Sequence, residues 1–389
     1  QYFFSFSWEV PKMPNDDFRA WSYFNPVNIK FNVSASTELV TELRGHRYAV
    51  VTYDEPYFAK ICKELEDLVG PAACTINDVQ PNPDCQILHE QCERLNSKVT
   101  NIEIIVALGG GSVIDTAKVL SASTLGFSKV LDFVTNEKKE LNLPSIPIIA
   151  VPTTAGTGSE VTCWATIWDE TEQKKYSLAD PDLYPKYAII DPSLMVNKPV
   201  DLTMATGLDA LSHALESIWN CNANPVSARY AIFAAKTIIR DLPELLSMPK
   251  NLALRENLAE AALMSGLAFS NTKTAIAHNL SYPITLKYGV THGIACSFTL
   301  PTILRSVAKI GGFRGEALQE IFGTNLLKGA DMLTSTLSAM QVKMRFRDYG
   351  ANQEETTNII DAAFLGQRGK NFIGRKEDFL VSARAGNVV

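Results

Sequence analysis

Residues 101–122 read NIEIIVALGGGSVIDTAKVLSA. From Ile102 to Leu108 the chain is an almost unbroken apolar run rich in Ile and Val. Such a run fits a strand covered on both faces, as in a parallel sheet. Gly109, Gly110 and Gly111 then permit a tight turn, and Ser112 is placed to cap a following helix. Strand, glycine turn and helix together make the repeating unit of an α/β fold. The N–H groups at such a helix start attract phosphate. The spacing is not the G-x-G-x-x-G fingerprint, because Ile114 stands where its last glycine would be.

The alternation extends on both sides. "RYAVVTY" reads as a strand, "PYFAKICKELEDLV" and "CQILHEQCERLNSKV" as amphipathic helices, and "KYAIIDPSLM" closes the alternating half near Asp191. A further strand, Ile146 to Val151, runs into Pro152 and the loop "TTAGTGSE". In that loop Thr153, Thr154, Thr157 and Ser159 offer backbone and hydroxyl donors to a pyrophosphate or a nicotinamide ribose. After Pro199 the period becomes helical, in "LTMATGLDALSHALESIW", "PVSARYAIFAAKTIIRDL" and "LALRENLAEAALMSGLAFS". The expected architecture is an α/β dinucleotide-binding domain over 23–197 and an all-helical domain over 198–389. Residues 1–22 read as an extension without the basic start or long apolar stretch of a signal peptide. "GQRGKNFIGRKEDF" near the end reads as surface loop.

Only five histidines occur. In "TGLDALSHALES", Asp209 and His213 sit at i and i+4, on one face of a helix. His278 and His292 flank a proline-containing break in "IAHNLSYPITLKYGVTHG". One carboxylate and three imidazoles suit a borderline divalent cation, Fe²⁺ or Zn²⁺, and leave room for a substrate oxygen if the shell expands. His46 and His89 fall outside this set and read as solvated positions.

With 389 residues, 46% of them apolar, the chain can bury one or two cores. A net charge of −6 argues against nonspecific nucleic-acid binding, and no apolar run reaches membrane-spanning length. Seven scattered cysteines with no C-x-x-C suggest reduced thiols and a cytoplasmic setting.

"GGGSVIDTAK", "TTAGTGSEVT", "DALSHALES" and the histidines before Pro283 and Gly293 occur in the order found in the iron-dependent (group III) alcohol dehydrogenases. From about Phe24 onward the chain resembles that family. The resemblance implies a dehydroquinate synthase-like fold, a homodimer, and a metal and nicotinamide meeting in the cleft between domains. It adds Asp115 and Lys175 to the cofactor seat of Gly109 to Ser112 and the threonine loop. An acidic residue at the end of "RYAVVTYDEPY" would bind the adenosine ribose, so Asp54 favours NAD over NADP, with Tyr53 the rival for that position.

Two departures from the family are informative. Members often carry a histidine four residues after the third ligand, where Tyr282 stands here. A glycine-rich run before that ligand is replaced by "SNTKTA", which introduces Lys273. Both resemble the subgroup that interconverts phosphonoacetaldehyde and 2-hydroxyethylphosphonate. If 271–278 is helical, Lys273 lies one to two turns before His278 and can meet a phosphonate. Tyr282, water and the cofactor ribose are all candidate proton relays. The alternatives are a general short-chain alcohol dehydrogenase of this family, a dehydroquinate synthase-like lyase and a metal-dependent hydrolase.

Overall fold

The computed structural model describes residues 20–98, 101–135, 143–172 and 174–389. Most of the expected 1–22 extension therefore lies outside the described residues. Among the described residues eight strands occur: β1 (Asn28–Phe31), β2 (Tyr48–Val51), β3 (Cys74–Ile76), β4 (Ile104–Gly109), β5 (Ile148–Pro152), β6 (Trp164–Asp169), β7 (Lys174–Ala179) and β8 (Tyr187–Ile190). Six form one sheet in the order β1-β8-β5-β4-β2-β3, all parallel. Helices α1 (Ala35–Leu43), α2 (Pro56–Val69), α3 (Cys85–Lys98), α4 (Gly111–Ala122) and α5 (Phe127–Thr135) accompany it.

β4 shows why its sequence is apolar throughout. Ile105 and Ala107 enter the core that holds Leu88 of α3 and Ile114 of α4, while Val106 and Leu108 enter the one that holds Leu39 of α1 and Phe58 of α2. Both faces are covered, so alternation would serve nothing. All six parallel strands point the same way, and the turns at their carboxyl ends collect along one edge, where α/β sheets bind ligands. There Gly109 pairs in register with Pro152, and the Thr153 N–H donates to the Gly109 carbonyl at 2.9 Å. β6 and β7 form a separate antiparallel hairpin that the sequence reading did not separate from the alternating half.

The rest is helical: α6 (Val200–Glu216), α7 (Pro225–Ser247), α8 (Leu252–Thr272), α9 (Ile276–Tyr288), α10 (His292–Ser297), α11 (Leu300–Ser306), α12 (Gly312–Phe322), α13 (Leu326–Ala339), α14 (Gln353–Leu365) and α15 (Lys376–Ala385). They enclose one large apolar core around Trp219, Leu215 and Phe298. A smaller seam joins this half to the sheet, where Ile190 and Met195 meet Leu263 and Leu267 of α8. Gly158, at φ +62°, and Gly266 complete that seam: a Cβ on Gly266 would stand 3.0 Å from the Gly158 Cα.

Three expectations are corrected. Pro283 does not break the chain between His278 and His292, because α9 runs through it to Tyr288. A proline removes one helical hydrogen bond, but buried His278, Leu280 and Ile284 hold the helix on both sides. The break falls at Gly289, whose φ of +67° ends the helix. Ser112 does not cap α4; Gly110 occupies the N-cap position with no side-chain bond. "GQRGKNFIGRKEDF" is not simply surface loop, for Phe372 and Phe379 are buried in the helical core and α15 begins inside it.

Candidate metal and nucleotide site

α6 carries Asp209 and His213 one turn apart, α9 carries His278 near its start, and His292 is the first residue of α10. Asp209 Oδ1 lies 3.4 Å from His278 Nε2, 3.8 Å from His213 Nε2 and 4.0 Å from His292 Nε2. Asp209 Oδ1 and His278 Nε2 are buried and have no hydrogen-bond partner. Leaving such atoms unpaired is costly, and a divalent cation between them removes the cost. α10 can approach this closely because Gly293 has no side chain; a Cβ there would stand 1.8 Å from the Ala205 carbonyl oxygen of α6.

The electrostatics fit a cation as well. Burial pushes His213 down to about 4, and partial burial with the neighbouring His278 and Lys175 charges lowers His292 as well, so both are neutral imidazoles at physiological pH, as metal ligands must be. Burial works against an ionised Asp209, but the three histidines outweigh it and hold its carboxyl well below the usual range. For His278, burial is outweighed by Cys296 and Glu216, and its proton affinity rises.

Glu216 escaped the sequence reading. It is fully buried, and its carboxylate meets His278 Nδ1 at 2.6 Å while accepting the N–H groups of Ala275 at 2.9 Å and Ala277 at 2.5 Å. Its signal was present: Asp209, His213 and Glu216 fall at i, i+4 and i+7 of one helix face. Cys296 escaped too. Its Sγ lies 3.6 Å from His292 Nε2, and its sulfur groups with ligand atoms of Asp209, His278 and His292 within 4.8 Å of one another. His213 sits at the far side of the set, stacked between Phe269 at 4.1 Å and His278 at 4.5 Å.

The open side is at His292, 35% exposed against 7% for His213 and 4% for His278. Tyr282 lies parallel to the His292 ring with centroids 6.0 Å apart. Lys175 Nζ stands 4.2 Å from the centre of the Tyr282 ring, and the Arg368 guanidinium carbon 5.0 Å from it. Lys175 thus belongs to the metal end of the cleft. Lys273 is exposed, at φ +64°, in the connection after α8, so the helix expected to run through it to His278 is absent there. His46 and His89 are exposed, beside Glu103 and Glu93.

The two glycine-bearing loops touch. A Cβ on Gly111 would meet Thr157 Cγ2 at 2.6 Å, and one on Gly110 would meet Thr154 Oγ1 at 3.3 Å and the Tyr53 hydroxyl at 3.5 Å. Thr153 is buried and its hydroxyl has no partner. Asp115 and Ser159 are engaged with each other: the Ser159 hydroxyl donates to Asp115 Oδ1 at 2.6 Å, and Asp115 Oδ2 accepts the Thr166 N–H at 2.9 Å. Lys118, fully buried on the same helix face, donates to the Ser159 and Trp164 carbonyls and the Ser159 hydroxyl at 2.7 to 2.9 Å. These groups clamp the threonine loop onto α4. Asp54 is exposed beyond the end of β2 and accepts from the Asn77 amide at 3.1 Å.

Residues 26–192 match the family described as iron-containing alcohol dehydrogenase, and residues 203–378 match the C-terminal region of the Fe-containing alcohol dehydrogenase family. The chain belongs to the iron-containing alcohol dehydrogenases. It is 30% identical to a 1,3-propanediol dehydrogenase of Citrobacter freundii, over 89% of this chain and 93% of that one. It is 36% identical to an NAD-dependent methanol dehydrogenase of Bacillus methanolicus, over 64% of each. A crystal structure of sulfoacetaldehyde reductase from Bifidobacterium kashiwanohense in complex with NAD+ superposes with a TM-score of 0.86 at 28% identity, covering 95% of this chain and 99% of that one. Membership of that family sets aside the lyase and hydrolase alternatives. No described helix is long and apolar enough to cross a membrane.

Proposed function

We propose that this iron-type dehydrogenase reduces phosphonoacetaldehyde to 2-hydroxyethylphosphonate with NADH, holding its divalent metal through Asp209, His213, His278 and His292. Fe²⁺ is the cation that the family favours, with Zn²⁺ the alternative for the same donors. The observation that carries the site is the pair of buried, unpartnered ligand atoms, Asp209 Oδ1 and His278 Nε2, facing each other at 3.4 Å. When bound, the metal supplies Lewis acidity to the aldehyde oxygen and NADH supplies the hydride.

The chain's own residues do the rest. Glu216 fixes the His278 ring so that Nε2, not Nδ1, faces the ligand set. Phe269, flat against His213, keeps water from that flank. Gly109 and Gly110 bring backbone N–H groups at the start of α4 within reach of a pyrophosphate. Thr154 and Thr157 line the opposite wall. Asp54, at the end of β2, repels a 2′-phosphate and supports NAD over NADP. Tyr282 is the phenol beside the open side of the site and our candidate to relay the proton.

An aldehyde panel tests the reading: phosphonoacetaldehyde, sulfoacetaldehyde, lactaldehyde and propanal, with NADH and NADPH in parallel, followed at the nicotinamide absorbance. We expect phosphonoacetaldehyde with NADH to give the highest kcat/KM. A general short-chain alcohol dehydrogenase would instead favour the uncharged aldehydes.

A further inference from the structure

Two cations crowd the open side of the metal ligands, and neither has an anionic partner among the described residues. Lys175 projects from β7, paired across the hairpin with Trp168, and its Nζ stands 4.2 Å from the Tyr282 ring centre and 5.2 Å from that of Trp168. Arg368 follows α14, with its guanidinium 5.0 Å from the same Tyr282 ring. Its Nε–H donates to Thr274 Oγ1 at 2.9 Å, which fixes the fork, while its terminal nitrogens have no partner among the described residues. Tyr282 itself lies on His292, the most exposed of the three imidazoles. A substrate entering beside His292 therefore meets both cations next to the ligand set.

The charge balance makes this arrangement informative. A divalent cation at the ligands is matched by Asp209 and the buried Glu216 carboxylate. Lys175 and Arg368 then add two positive charges that no carboxylate among the described residues answers. Contact with an aromatic face answers a cation only weakly, and each still has free N–H donors. An uncharged aldehyde leaves that imbalance in place. An aldehyde bearing an anionic head removes it, and a planar guanidinium beside an ammonium suits a tetrahedral oxyanion.

We propose that Lys175 and Arg368, set about Tyr282, receive the anionic head of the substrate and select aldehydes whose short chain ends in a tetrahedral anion, phosphonate or sulfonate. This deepens the reading above and rests on it. It also moves the recognition of the head from Lys273 to residues that the fold brings to the metal end of the cleft. Arg368 is a specificity-determining residue that no motif announces.

The test has two arms on the metal-loaded enzyme with NAD+ or NADH. Titration calorimetry with methylphosphonate and with methanesulfonate is expected to show saturable binding to the wild type. Binding should weaken at least tenfold in Arg368→Gln and in Lys175→Gln, and less in Arg368→Lys. Kinetics then compare phosphonoacetaldehyde and sulfoacetaldehyde with propanal. The ratio of kcat/KM for the preferred anionic aldehyde to that for propanal should fall at least tenfold in either glutamine variant, mainly through KM. Which anion wins in the wild type separates phosphonate from sulfonate. Equal losses for charged and uncharged aldehydes, or a wild type that prefers propanal to both anions, would overturn the pair's assignment while leaving the dehydrogenase intact. If no aldehyde is reduced, the dehydrogenase reading fails, and the calorimetry still decides whether the pair binds anions.

Discussion

His278 Nδ1 lies 2.6 Å from the Glu216 carboxylate, which no solvent reaches and which three backbone N–H groups also address. This contact leaves only Nε2 of His278 facing the other ligands. A charged partner behind a ligand raises the ligand's basicity and fixes its ring. Glu216→Gln should therefore lower metal affinity about 10–100-fold while the helices remain folded. Competition with a chelator measures it, and an unchanged affinity would show that Glu216 only fills space.

A side chain at Gly110 meets Thr154 Oγ1 at 3.3 Å and the Tyr53 hydroxyl at 3.5 Å, without a backbone clash, and φ there is an ordinary −80°. Gly110→Val is thus tolerated by the fold but fills the space over the α4 start. We expect NADH affinity to drop at least tenfold with metal content unchanged. Wild-type affinity in a fluorescence titration would remove the pyrophosphate from this turn.

Gly293 seats α10 on α6, and with it the first residue of α10, His292. Gly293→Ala would drive a methyl against the Ala205 carbonyl at 1.8 Å, so the helix must shift. Overpacking of this kind costs on the order of 1–3 kcal/mol. Both the melting temperature and the metal content should fall. A variant with full metal content and unchanged melting would mean that α10 does not depend on this approach to hold His292.

Burial pushes Lys118 down to about 8 from an ordinary 10.5. Between those two values the unfolded chain holds a proton that the folded chain has released. Unfolding then takes up a proton, and stability rises with pH, by up to about 1.4 kcal/mol per unit. Below about pH 8 both states are protonated and this contribution is flat. Denaturant unfolding of the wild type relative to Lys118→Met should therefore show a difference that moves in favour of the wild type from pH 8 to 10.5. A flat difference across that window would contradict the depressed lysine.

The features legible in the sequence are those whose spacing repeats a local geometry. β4 announced itself because a strand buried on both faces admits no polar residue among its core positions. Asp209 and His213 announced a helix face, and Glu216, one turn further along it, was legible by the same rule. What was hidden depends on contacts between distant segments. Arg368 reaches Tyr282 from a polar stretch that looks like loop, because nothing local shows that Phe372 and Phe379 anchor it. The bond between Asp115 and Ser159 was hidden in the same way. Whether a hydroxyl faces a ligand or a neighbouring carboxylate depends on the packing of α4 against β6. Pro283 looked like a break because the sequence does not show that its flanking residues are buried.

The central claim is that Asp209, His213, His278 and His292 hold the metal on which aldehyde reduction depends. The most direct measurement is metal content by elemental analysis, taken with NADH-linked reduction of phosphonoacetaldehyde, in the wild type and in folded His278→Ala. The account predicts close to one divalent metal per wild-type chain, little or none in the variant, and turnover that disappears with the metal and returns to the wild type alone when metal is restored. Full turnover by a metal-free preparation, or a His278→Ala enzyme that keeps both metal and activity, would contradict it.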